Sequence, residues 1–285
     1  MRASERVRAL LPERDGSGRI PYGVYCKWYG AHWVLAALAD IGYPPGDENL
    51  IPLREQDHER LLGERHLSSV LTIEGLPWRC ASQEGNLLWS LLMLGLDDER
   101  CDRLVDNLLK WQWPDGGWHR DKKPQARVSS FHKTLIPLRA LALYSRQRGD
   151  QRTGAAARRA AEVFLQGGLL WRKRDGAIMD GRFMLLHYPG YWRYNLLAGL
   201  KMMAEAGFIG DERCREALDV LQAKRPADGG FPAEDKLYRM TSKTSPTGSG
   251  ASRVSWGGAS KRRMNEWVTV DALHVLAQAG RPLGL

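Results

Sequence analysis

Residues 98–118, DERCDRLVDNLLKWQWPDGGW, recur 113 positions later as DERCREALDVLQAKRPADGGF at 211–231, without a gap and with nine identical positions. A fold for this chain must therefore house the same supersecondary unit twice. Both copies parse alike. Asp97/Asp98 and Asp211 stand where they can cap a helix, with acidic residues in its first turn, where the helix dipole favours them. Apolar residues follow at helical spacing: Cys101, Leu104, Val105 and Leu108 in one copy, Cys214, Ala217, Leu218 and Leu221 in the other. Pro114 or Pro226 ends the helix, and Asp-Gly-Gly supplies a turn. An aromatic, Trp118 or Phe231, closes each copy.

The amphipathic helix of the repeat is one of a series: about 3–11, 47–62, 98–112, 153–166 and 211–223. A second, more apolar type falls between them, at 29–42, 84–96, 132–145, 193–207 and 266–280. Helices apolar nearly all round are buried on most faces, whereas amphipathic ones cover them with one face. Alternation of the two types predicts an all-α fold in two layers, with short turns in one direction and long loops in the other. The long loops are the expected carriers of function. No alternation long enough for a sheet is present, and 1–285 reads as a single domain. The segment 241–260, rich in Ser, Thr and Gly, reads as a mobile flap over the mouth or a partly disordered stretch.

The net charge of +9 suits an anionic ligand, nucleic acid or an acidic membrane surface. No run of basic residues exceeds Lys261-Arg262-Arg263 and no base-reading motif accompanies the charge, so nucleic acid is not expected. Cys26, Cys80, Cys101 and Cys214 contain no Cys-x-x-Cys pair and read as small apolar residues in a reducing compartment. Without an apolar leader or a stretch of about 20 apolar residues, the expectation is a cytoplasmic chain with no transmembrane segment.

Gln112-Trp113-Pro114-Asp115-Gly116-Gly117-Trp118 resembles the Q-x-x-x-G-x-W repeat of the terpenoid-cyclase and protein-prenyltransferase superfamily, with Arg225–Phe231 a degenerate second copy. Ser129-Ser130-Phe131-His132-Lys133-Thr134 is similar to the opening of an inner helix in prenyltransferase β-subunits. The layout resembles that of bacterial squalene-cyclase-like proteins of unassigned activity. The resemblance implies an (α/α) toroid of about five helical hairpins, with loops gathered at one mouth. It does not carry the family's activities. The D-x-D-D acid of class II cyclases is missing, and the zinc triad of protein prenyltransferases is incomplete, only His132 having a counterpart. Asp97–Asp102 misses the magnesium-binding D-D-x-x-D by one residue and reads as a helix cap. No metal and no cofactor are expected.

Residues that a common mouth would gather are the candidates for chemistry. Glu84 and Glu266 stand in the first turns of apolar helices, where a carboxylate caps free N–H groups; in a Trp-lined cavity either could instead be a general acid. His132 and His187 flank apolar-helix starts and are the imidazoles best placed for acid–base work, or for a structural hydrogen bond. His32 and His274 lie inside apolar helices and read as core. Tyr188, Tyr191, Trp192, Tyr194, Trp256 and Trp267 could line an apolar pocket or stack on a ligand. Arg79, Arg262, Arg263 and Asn265, with Lys122, Lys123 and Arg193, would supply a polar rim. Three functions stay open: a binder or transformer of a hydrophobic or isoprenoid ligand, small and apolar or anionic; a carbohydrate-active hydrolase or lyase working through two carboxylates; and a non-catalytic interaction scaffold. Oligomeric state is not encoded legibly.

Overall fold

Eleven α-helices are present in the computed structural model, which describes residues 4–11, 14–120, 125–243 and 249–283. Lys122, Lys123 and positions 244–248 of the expected flap lie outside the described residues. The helices are α1 Glu5–Leu10, α2 Ala31–Asp40, α3 Ile51–Leu61, α4 Glu64–Leu67, α5 Ser82–Leu94, α6 Arg100–Lys110, α7 Phe131–Arg148, α8 Gln151–Leu165, α9 Leu196–Ala206, α10 Arg215–Gln222 and α11 Glu266–Gln278. All ten expected helices are among them, and the protein is mostly helical. No helix among the described residues is long and apolar enough to cross a membrane.

The chain divides into two compact units, Met1–Trp111 with Tyr238–Ser255, and Gln112–Leu237 with Trp256–Leu285. In the first, apolar helices α2 and α5 pack on each other, with amphipathic α3 laid on α2 and α6 on α5. Nearly every residue of α5 is buried, whereas α6 buries only Cys101, Leu104, Val105 and Leu108. These are the two helix classes that the hydrophobic pattern distinguishes. In the second unit α7 packs on α9 and α9 on α11, with α8 laid on α7 and α10 on α9. Ion pairs cross the apolar contacts: Arg139 of α7 with Glu205 of α9, at 2.8 Å through Nη2, and Lys201 of α9 with Asp271 of α11 at 2.7 Å.

The duplicated segment is duplicated in its contacts as well. Arg100 bonds Asp98 two residues before it and Glu55 of α3; Arg213 bonds Asp211 and Glu162 of α8 in the same way. After each helix the Asp-Gly-Gly turn docks on the next apolar helix. Asp115 accepts from the backbone N–H of Ser129, and Asp228 from that of Met264. The N–H of Trp118 donates to the Thr134 hydroxyl and that of Phe231 to the Thr269 hydroxyl, at 3.1 and 2.8 Å. Gly116 and Gly229 hold φ of +99° and +85°, a region that side chains disfavour. Gln112 donates to the carbonyls of Gly116 and Ala156, so it ties its own turn to α8. Trp118 and Phe231 are wholly buried.

Two expectations are corrected. Small strands do occur: Leu71–Ile73 (β1) pairs antiparallel with Leu76–Trp78 (β2), and Arg239–Met240 (β3) pairs parallel with Ala251–Ser252 (β4). They are two or three residues long, too short to leave an alternating pattern in the sequence. Within 249–260, β4 is paired and Ala251, Val254 and Trp256 are buried. Finally, α11 is not buried all round. Only Val268, Ala272, Val275 and Leu276 are covered, Val270 is 62% exposed, and His274 lies on the exposed face rather than in a core. In the second unit α11 packs on α9.

Candidate functional site

The path from Asp180 to Tyr194 builds a cavity of about 250 Å³ in the second unit, lined by His132, Asp180, Arg182, Phe183, His187, Trp192, Arg193, Tyr194, Asp235 and Leu237. The path has no regular helix beyond one 3₁₀ turn, Gly181–Met184, capped by the Asp180 carboxylate on the N–H of Arg182. Long-range bonds hold it in place. Leu186 donates its N–H to Glu234 and accepts the N–H of Glu234 at 2.7 Å, while Lys224 pairs with Glu234 at 2.8 Å. This brings Asp235 and Leu237 to the cavity.

Tyr194 forms its floor. The ring stacks on Phe164 at 5.6 Å and meets Phe131 and Phe183 edge-on, and the hydroxyl donates to the Leu169 carbonyl at 2.7 Å. Burial pushes its pKa well above the usual value, so the phenol stays protonated. The residue thus acts as a wall and an anchor.

Two imidazoles reach the cavity, and the backbone sets both tautomers. His132 opens α7, where its Nδ1 accepts the N–H of Tyr194 at 2.8 Å. A backbone N–H can only donate, so the proton of neutral His132 resides on Nε2. His187 bonds the Pro189 carbonyl through Nδ1 at 3.3 Å. A carbonyl can only accept, so neutral His187 carries its proton on Nδ1 and presents a lone pair at Nε2. Both are neutral at physiological pH. Burial, with Lys133 and Arg193 nearby, lowers His132 to about 4; burial lowers His187 to about 4. One ring therefore offers the cavity a donor and the other an acceptor.

The rim is cationic and aromatic. Lys133 Nζ stands 4.5 Å from the centre of the Trp192 ring, and the Arg193 guanidinium 5.4 Å from it. Trp192 also meets His132 edge-on at 5.8 Å. Arg182 folds back on Asp180 and is neutralised by it. Arg193 is exposed and forms no ion pair among the described residues.

Of the sequence candidates, the cavity gathers His132, His187, Trp192 and Tyr194. Tyr188, Trp256 and Trp267 form a separate cluster in the same unit, Tyr188 stacking on Trp267 at 5.2 Å and Trp256 meeting both edge-on. Asn265 caps α11 and donates to the Trp256 carbonyl, which gives it a structural task. Tyr191 is half-buried at φ +50°, and Glu266, Arg262 and Arg263 are exposed. Glu84 and Arg79 belong to the first unit. Glu84 is wholly buried and does not cap α5: its Oε1 accepts from Arg79 at 3.0 Å and pairs with His66 Nε2 at 2.7 Å. Arg79 also bonds Ser69 and lies over Trp111. Phe183, Asp235 and Leu237 were not legible as lining residues, since only the Leu186–Glu234 pairing brings their loops together.

No family model matches the chain, and no curated protein matches it.

Proposed function

We propose that the cavity of the second unit receives a small ligand with an apolar body and an anionic head, of the short prenyl diphosphate class, and can move a proton on it. The observation that carries this reading is the pair of neutral imidazoles with opposite tautomers at one aromatic-walled cavity. His187 Nε2 is the base, His132 Nε2–H the donor, and neither needs the other's proton. Phe183, Trp192, Tyr194 and Leu237 supply apolar and π-face contact for a prenyl chain. Arg193, uncommitted to any carboxylate, supplies a cation for the head. The resemblance of the Gln112–Trp118 segment to terpenoid-cyclase and prenyltransferase repeats supports the same ligand class, and closure of the helical hairpins into a toroid is part of this proposal. A two-carboxylate glycosidase reading has less support, because Glu84 is spent on Arg79 and His66.

Calorimetric titration with geranyl diphosphate, inorganic diphosphate and geraniol tests the proposal. The expected order is geranyl diphosphate tightest, with Arg193→Gln weakening it about tenfold, or ~1.4 kcal/mol, and leaving geraniol unchanged. Absence of binding by geranyl diphosphate to the unsubstituted protein would overturn it.

A further inference from the structure

The two copies of the repeat serve as each other's control, and one buried difference lies on the amphipathic helix that precedes each. In both, an arginine joins the aspartate two residues before it to a glutamate on the preceding amphipathic helix: Asp98, Arg100 and Glu55, or Asp211, Arg213 and Glu162. A buried cysteine follows each arginine, Cys101 or Cys214. Three residues after the glutamate, the second copy has buried Leu165 and the first has His58. The scaffold accepts an aliphatic side chain there, so the imidazole is not required for the helix contact.

His58 is costly where it stands. It is 2% exposed and neither ring nitrogen has a hydrogen-bond partner. A buried imidazole in that state forfeits its bonds to water without replacement. Its Nε2 lies 3.7 Å from Asp98 Oδ1, and the Cys101 sulfur completes a group whose ligand atoms all lie within 4.8 Å of one another. One nitrogen, one carboxylate oxygen and one sulfur at that spacing need only sub-ångström shifts to meet a common ion at zinc-ligand distances. The charges allow it. Asp98 and Glu55 balance Arg54 and Arg100; Oδ2 of Asp98 holds the Arg100 guanidinium, while Oδ1 accepts the Arg100 backbone N–H at 3.0 Å and keeps a second lone pair for an ion.

We propose that His58, Asp98 and Cys101 bind a thiophilic divalent transition-metal ion of the zinc class, with water as the remaining ligand, at the junction of α3 and α6. On binding, the Cys101 thiol gives its proton to solvent and the thiolate sulfur bonds the ion; no electron is transferred. The site lies in the first unit, is independent of the proposed ligand cavity, and joins two amphipathic helices. Its role is to clamp α3 to α6.

The test uses the full chain, stripped of metal by a chelator and titrated with Co²⁺. The expected result is a near-ultraviolet thiolate-to-cobalt charge-transfer band that saturates at equimolar metal and is abolished by equimolar Zn²⁺. His58→Leu places in the first copy the residue that the second copy already tolerates, so it is expected to fold and to lose the band. Cys101→Ser should lose it as well, and Cys214→Ser should retain it. No band in the unsubstituted protein, or a band that survives in His58→Leu, would overturn the site.

Discussion

The backbone N–H of Tyr194 donates to Nδ1 of His132 at 2.8 Å, across 62 positions of sequence. This contact makes His132 a neutral donor at Nε2, and it sets the ring edge-on to Phe183 and Trp192. His187 receives the opposite tautomer from Pro189. Hydrogen-bond donor and acceptor are thus assigned by two backbone groups rather than by a charged partner, and burial keeps both rings neutral beside the exposed arginines of the rim.

Stability should fall with acid in a defined window. Both histidines drop from an ordinary 6.5 to about 4 on folding. Above pH 6.5 neither state is protonated and the native state is unaffected. As the pH falls toward 4, the unfolded chain takes up protons that the native rings refuse, and stability is lost. By linkage the loss is on the order of 3 kcal/mol per ring at most. Urea midpoints measured from pH 7 to pH 4 should show it, and His187→Gln should flatten the slope.

The threonines that receive the closing aromatics should matter equally in both copies. Thr134→Val or Thr269→Val leaves the N–H of Trp118 or Phe231 without its acceptor. Each is expected to cost about 1–3 kcal/mol, read as a lower denaturation midpoint at unchanged m-value.

Glu84→Ala should be more damaging than its place in a helix first turn implies. It strands the buried Arg79 guanidinium and His66 together. The expected loss is about 3–5 kcal/mol, with Glu84→Gln milder because an acceptor oxygen remains. Thermal denaturation of the two variants side by side gives the comparison.

Trp256→Ala removes the ring that meets Tyr188 and Trp267 edge-on and is 2% exposed. A loss of about 3–5 kcal/mol is expected, with Trp256→Phe losing less. If Trp256 instead contacted ligand, Trp256→Ala would weaken geranyl diphosphate binding at unchanged stability; calorimetry and denaturation together separate the two.

Hydrophobic period alone distinguished α5, covered on almost every face, from α6, covered on one, because the spacing of apolar residues is a local property read along a single helix. The same locality explains what went unread. In the sequence His274 reads as core because α11 looks as apolar as α5, yet burial depends on which faces of a helix its neighbours cover. Glu84 was legible as a first-turn carboxylate, and its partner His66 was not, since the pairing depends on a helix and a hairpin returning to α5. His58 carries no signal of its own in the sequence; its burial without a hydrogen-bond partner appears only once α3 and the start of α6 meet.

The repeat at 98–118 and 211–231 determined the helix order, the capped Asp-Gly-Gly turns and the buried aromatics, because those follow from short-range spacing and backbone preference. The tautomers of His132 and His187, the cavity between the Asp180–Tyr194 path and Asp235, and the company of His58 were decided in three dimensions. Each depends on contacts between residues far apart in the chain, and hydrogen-bond direction and burial do not exist until those residues meet.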